Sequence, residues 1–182
     1  MRTFFTSYTL VIKLILLSLF SSPIYAKSGL ELAYGFAPAK NSHLRAGDTW
    51  RVSYSQPINH FDDFLSQYNI NLRLELSAQH WDELGSTNNH VFSLNPMFQY
   101  QWHFEPMSVY LELGIGAAYS HNTYYLDRNL GSNWLFEDKL GIGIIINQHH
   151  RLGVSIAHYS NADLANHNDG VDSISIHYGY LW

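Results

Sequence analysis

Cysteine is absent from the 182 residues, so no disulfide framework staples the fold and no thiolate can hold a metal. A basic excess is absent too. Lys and Arg number 10 against 15 Asp and Glu, and a chain without a basic patch lacks the electrostatic footprint that nucleic acid requires. Charge of either sign is sparse, at 14% of residues where soluble domains average about 25%. A surface with so few charges does not have to face water. Long hydrophobic runs are missing after the first segment, which excludes a bilayer-spanning helix of ~20 apolar residues from the rest of the chain.

The first segment, "MRTFFTSYTLVIKLILLSLFSSPIYA", carries Arg2 and Lys13, an apolar run from Leu14 to Phe20 and a small residue at Ala26. A basic start, a short apolar stretch and a small residue at the end make up a secretory signal peptide. The run is well short of a membrane anchor. Residues 1–26 are therefore read as a signal peptide, cleaved after Ala26 despite the bulky Ile24, and residues 27–182 as one domain. Removing Arg2 and Lys13 takes the formal charge of −5 two units further negative.

What the mature chain has in quantity is alternation. Strands are expected near 29–37, 47–56, 69–81, 91–103, 108–119, 132–147, 151–160 and 171–182, each with an apolar phase opposite a polar or small one. In the third, Ile70, Leu72, Leu74 and Leu76 share one face, with Asn71, Arg73, Glu75 and Ser77 on the other. In the sixth, Leu140, Ile142, Ile144 and Ile146 oppose Gly141, Gly143 and Ile145.

A soluble sandwich or lipocalin-like barrel turns its apolar phase inward, whereas an outer-membrane barrel turns it to lipid and fills its lumen with the polar phase. The minority phase decides between them. It holds Glu31, Arg51, Arg73, Glu75, Glu112, Glu137 and Lys139 among many Gly and Ser. Mixed charges between small residues can pair inside a narrow barrel, while a water-facing surface gains nothing from so much glycine. Aromatics at 15%, with 13 Tyr, suit interfacial girdles. The end of the chain, "SISIHYGYLW", puts Ile174, Ile176, Tyr178, Tyr180 and Trp182 in one phase and resembles the last strand of bacterial outer-membrane barrels. The fold class expected is all-β, an eight-stranded antiparallel transmembrane β-barrel in the bacterial outer membrane.

With a periplasmic N-terminus, segments 38–46, 82–90, 120–131 and 161–170 become the long exterior loops, and "EPM" and "NQHH" short returns. The return over 57–68 is too long for a tight turn. Its Asp62 and Asp63 followed by Phe64, Leu65 and Tyr68 suggest a short amphipathic helix under the barrel.

One stretch breaks the pattern. In "LGVSIAHYSNADL" the face of Leu152, Val154 and Ile156 continues into His158 and Ser160, an imidazole and a hydroxyl aimed at lipid near the exterior rim. The plain explanation is an interfacial histidine bonded to a headgroup. The chemical one is a serine activated by an imidazole that a carboxylate orients. Asp172, the first residue of the outward phase of the last strand, should pair beside His158 and supply that carboxylate. Asp163 and Asp169 are rival acids, each better explained by loop or turn chemistry.

The run "HYSNADLANHNDGVDS" resembles the active-site segment of the lipid A 3-O-deacylases of the PagL type, with their His-x-Ser-Asn core, an Asn-Asp-Gly further on and an acid just after it. The likeness is concentrated in 156–176. It implies an outer-membrane esterase that removes the acyl chain at the 3-position of lipid A, with Ser160 as nucleophile, His158 as general base and Asp172 where the family has a glutamate. Asp is one methylene shorter, so the triad would need a small backbone shift or a water to close. Asn161 and Asn168 match family asparagines and, with the Ala162 amide, are candidates to stabilise the oxyanion. Gly170 serves the turn, and Asn168 with the following Asp-Gly also reads as a tight turn.

No metal and no cofactor is expected, since the 11 histidines show no paired ligand spacing. His177 reads as a satisfied lumen group. The substrate partner is lipid A or lipopolysaccharide, a homodimer is left open, and nucleic acid is excluded. Two other functions share the fold: a non-enzymatic adhesin or structural barrel, and a lipid A acyltransferase.

Overall fold

Alternating residues become strands wherever the two-residue period was read. A computed structural model describes residues 27–38, 47–82 and 88–182. The signal peptide expected over 1–26 lies outside them, as do most of the first exterior loop and much of the second. The strands are β1 (Gly29–Ala37), β2 (Gly47–Pro57), β3 (Ile70–Trp81), β4 (Asn89–Phe104), β5 (Met107–Ser120), β6 (Tyr124–Tyr125), β7 (Arg128–Asn129), β8 (Trp134–Ile146), β9 (His150–Ser160) and β10 (Val171–Leu181). Eight of them close into an antiparallel barrel in the order β1-β10-β9-β8-β5-β4-β3-β2, which leaves no free edge. The short β6 and β7 form a separate hairpin within the loop that joins β5 to β8.

The apolar phase points out. Ile115 and Ile176 are each 64% exposed, and Leu32, Leu76, Leu113, Leu140 and Ile156 are exposed with them. A continuous outer band of large aliphatic side chains marks a surface made for hydrocarbon. Among the described residues no helix is long and apolar enough to cross a membrane.

The opposite phase fills the lumen in two layers. At the end carrying the long loops, Trp81, Val91, Ala118, Leu135, Tyr159 and Val171 form an apolar plug with Tyr125 and Leu130 from the β5–β8 loop. Below it lies a network of ion pairs. Glu75 meets Arg51 at 2.5 Å, Lys139 at 2.9 Å and Arg73 at 3.3 Å, while Glu112 meets Arg73 and Arg151, the latter at 2.5 Å. Glu31 takes Arg151 at 2.9 Å, and Glu137 pairs with Arg51. Burying a charge is costly unless it is paired, and here Glu31, Glu75, Glu112 and Glu137 are matched by Arg51, Arg73, Lys139 and Arg151. Gly143 and Gly153 make room for this layer: a Cβ on either would lie within 2.5 Å of the Tyr110 hydroxyl. Tyr110 in turn bonds His177 Nε2 at 2.6 Å, the interior partner expected for that histidine.

The returns are tight where expected. Asn147 and Gln148 both have positive φ, 50° and 62°, within a three-residue turn, 147–149, that pairs Ile146 with His150. The 57–68 segment is helical but differs from the expected helix under the barrel. It is a single α turn, α1 (Asp62–Leu65), flanked by 3-10 turns at Asn59–Phe61 and Ser66–Tyr68. It buries none of its residues, and Phe61, Phe64 and Tyr68 stay exposed.

Candidate active site

The last turn of β9 is held in rotation by the residue between the two polar ones. Tyr159 is fully buried, donates from its hydroxyl to Gln79 at 3.0 Å and meets the Trp81 ring edge-on at 4.9 Å between centroids. With Tyr159 locked inside, His158 and Ser160 must point outward, because successive side chains on a strand alternate faces. A one-residue slip would bury the imidazole in the plug.

Pairing on both sides then fixes what His158 meets. On β10 its partner is Asp172 and on β8 it is Asp138. The row above joins Ser160 to Phe136, and the row below runs Leu140, Ile156, Ile174. Three polar side chains thus sit in line on an otherwise apolar wall. His158 Nδ1 lies 2.7 Å from Asp172 Oδ1, with the two side chains 44% and 53% exposed. The shorter Asp172 therefore reaches the imidazole directly, with no bridging water and no break in the strand register. No hydrogen bond joins Ser160 to His158 among the described residues. Ser160 is 9% exposed, covered where β9 passes into the loop 161–170.

That loop is tied down by the β6–β7 hairpin. Arg128 donates to the carbonyls of Gly170 at 2.9 Å, Asp169 at 3.2 Å and Pro38 at 3.2 Å. The Asn129 N–H donates to Asp169 Oδ2 at 2.8 Å. Ala162 and Asp163 take positive φ, 53° and 60°, turning the chain sharply after Asn161. Gly170, φ 60°, comes so close that an added Cβ would lie 2.8 Å from His158 Cε1.

The structure brings Ser160, His158 and Asp172 to one rim and gives the asparagines another task. Both amide protons of Asn161 are engaged, with the Leu130 carbonyl at 2.7 Å and the His167 carbonyl at 2.6 Å. Its backbone N–H donates to Asn168 Oδ1, and Asn168 Nδ2 donates to Asp163 Oδ1, each at 3.0 Å. As an oxyanion donor the Asn161 side chain is already occupied, whereas Asn168 donates one of its two amide protons. Asp163 and Asp169 are likewise bonded within the loops, as their turn reading expects. Asp138 was overlooked in the sequence, yet the rule that exposes His158 exposes it too, since "WLFEDKLGIG" places it in the phase of Trp134, Phe136 and Leu140. Among the described residues no group of three or more His, Cys, Asp or Glu is placed to hold a metal.

Further down the same wall lies an open apolar groove of about 500 Å³, with Leu152, Val154, Ile176 and Tyr178 on β9 and β10 and Leu32, Tyr34 and Trp50 across from them. Val154 is four residues from His158 on the same face, about 13 Å along the strand.

The model of the family "Lipid A 3-O-deacylase (PagL)" matches residues 48–181. The chain belongs to this family. The Lipid A deacylase PagL of Bordetella bronchiseptica is 28% identical over 171 residues, covering 88% of this chain and 96% of the relative. That of Pseudomonas aeruginosa is 39% identical over 89 residues, 49% of this chain and 51% of the relative. The crystal structure of the outer membrane enzyme PagL superposes with a TM-score of 0.74 at 28% identity, covering 85% of this chain and 99% of that one. Neisserial surface protein A, at 12% identity and a TM-score of 0.55, shares the fold alone. As a PagL-family barrel this protein is an outer-membrane hydrolase.

Proposed function

We propose that this protein hydrolyses the ester holding the acyl chain at the 3-position of lipid A, by a Ser160–His158–Asp172 mechanism on the outside of the barrel. The observation that carries this reading is the 2.7 Å His158–Asp172 pair on the wall of the barrel built for hydrocarbon, with Ser160 next along the same face. Asp172 accepts from His158 Nδ1–H, which leaves Nε2 free to take the Ser160 proton. Ser160 Oγ attacks the ester carbonyl, His158 returns the proton to the departing sugar hydroxyl, and water then cleaves the acyl-enzyme by the same base.

Ser160 and His158 lie two apart on a strand, about 6.6–6.8 Å along the backbone. Their hydrogen bond forms as the substrate seats, in keeping with the long catalytic contacts common in unliganded sites. With both Asn161 amide protons engaged, the Ala162 N–H and the second Asn168 amide proton are the donors for the oxyanion, and Gly170 lets its loop close over the imidazole. The groove below His158 accepts acyl chain in a direction a bilayer lipid already follows. Acid, base and nucleophile all come from β9 and β10 of one barrel, so no second copy is needed.

Mass spectrometry of lipid A from cells producing the protein tests the reading. The expected result is loss of one hydroxyacyl chain, with the chain retained in cells producing Ser160→Ala. Unchanged lipid A under the correctly folded wild-type protein would instead indicate an adhesin or structural barrel, and a gain in mass an acyltransferase.

A further inference from the structure

On the opposite side of the barrel a second pair of polar side chains leaves the apolar pattern. His80, one residue from the end of β3, and His90, the second residue of β4, are direct cross-strand partners. Both belong to the outward phase, above Ala78 and Phe92 at the long-loop end. Their Nδ1 atoms are 3.4 Å apart, and their rings lie 4.9 Å apart between centroids. In the barrel order, β4 stands four places around from β10 and β3 four from β9, so this pair is diametrically opposite the candidate active site.

The spacing is that of two ligands on one ion. Zinc binds imidazole nitrogen at about 2.0–2.1 Å in tetrahedral geometry, which sets neighbouring ligand atoms about 3.3–3.4 Å apart by trigonometry. Two neutral imidazoles can face each other at Nδ1 without repulsion only if one donates a proton to the other. A cation between them satisfies both lone pairs and leaves each Nε2–H outward for water. Borderline nitrogen ligands favour Zn²⁺ over the hard, oxygen-seeking Mg²⁺ or Ca²⁺.

We propose that His80 and His90 form a two-histidine surface site for Zn²⁺, clamping β3 to β4 at the exterior rim, with water or an anionic oxygen completing the coordination. Occupancy lies across the barrel from Ser160 and leaves deacylation unaltered.

The test is a titration of the full-length, detergent-folded protein with ZnCl₂, read by calorimetry and by the histidine ring signals in NMR, with CaCl₂ as the hard-cation comparison. One Zn²⁺ per chain is expected, with His80 and His90 signals moving together. His80→Ala or His90→Ala should weaken binding at least tenfold, while the barrel remains folded by circular dichroism and wild-type in deacylation. The wild-type midpoint of thermal unfolding should rise with Zn²⁺, and that of the double variant should not. The proposal is overturned if the wild type takes up no Zn²⁺, if the double variant binds as tightly as the wild type, or if the loss tracks His149→Ala and His150→Ala instead.

Discussion

His158 stands between Asp172 and Asp138, and the carboxylate that holds its Nδ1 proton decides what each substitution will do. The 2.7 Å contact assigns that task to Asp172. An asparagine there can turn its NH₂ toward the ring and favour the tautomer with the proton on Nε2, which cannot accept from Ser160. Asp172→Asn should lower kcat on the order of 10²- to 10⁴-fold with the barrel intact, and Asp172→Glu should keep most of the activity. Asp138→Asn should cost less than tenfold, since its loss leaves the Asp172 pair in place. Parallel kinetics on a solubilised lipid A substrate measure both, and the reverse ranking would make Asp138 the orienting acid. Gly170 gives a sharper steric probe. A Cβ there meets the imidazole at 2.8 Å on a backbone with φ 60°, so Gly170→Ala must push the ring off Asp172 or strain the loop. A displacement of about 1 Å can cost on the order of 10² in rate, and a drop of that size in kcat/KM is the expected result.

At the scale of elements, the site is a strand end held by a loop, and the loop is held by a hairpin. Arg128→Ala removes the donor that gathers three backbone carbonyls, including those of Asp169 and Gly170. The segment 161–170 is then held to the β6–β7 loop only by the Asn129–Asp169 and Asn161–Leu130 bonds, while every barrel strand keeps its partners. Activity should fall about tenfold with little change in the thermal midpoint, because connecting loops open locally well below the global stability. A matching fall in midpoint would mean that the loops carry barrel stability. This layering also explains what the sequence disclosed. The eight strands were legible because a two-residue period survives over nine or more residues, and His158 and Ser160 because they violate it. The β6–β7 hairpin was not, since strands of two residues have no period to read. The task of Asn161 was hidden for a related reason: the Leu130 carbonyl it holds is 31 residues away, in a loop whose path only the folded barrel defines.

At the scale of the whole molecule, the lumen supports the wall that carries the chemistry. Arg51 links Glu75 and Glu137 to the Tyr159 hydroxyl, and Tyr159 is the inward residue between base and nucleophile. The ionic layer is balanced, so removing any one of its acids leaves a net positive charge in the lumen. Glu75 contacts Arg51, Arg73 and Lys139, and replacing it with Gln leaves one uncompensated positive charge in the lumen: Arg51 and Arg73 keep Glu137 and Glu112, while Lys139 is left with Glu31 and Glu112 at 3.9 and 4.0 Å. Removing one member of a buried pair typically costs about 3–5 kcal/mol, and Glu75→Gln should destabilise the barrel by about that much in urea unfolding from detergent micelles. Adding Lys139→Met, which removes the excess positive charge and fills its space, should recover part of the loss. Kinetics well below the new midpoint should stay near wild type, since β9 retains its register and Tyr159 still bonds Gln79. If the single variant were as stable as the wild type, the lumen charges would be solvated rather than paired, and the apolar plug alone would have to hold Tyr159 and fix the outward aim of His158 and Ser160.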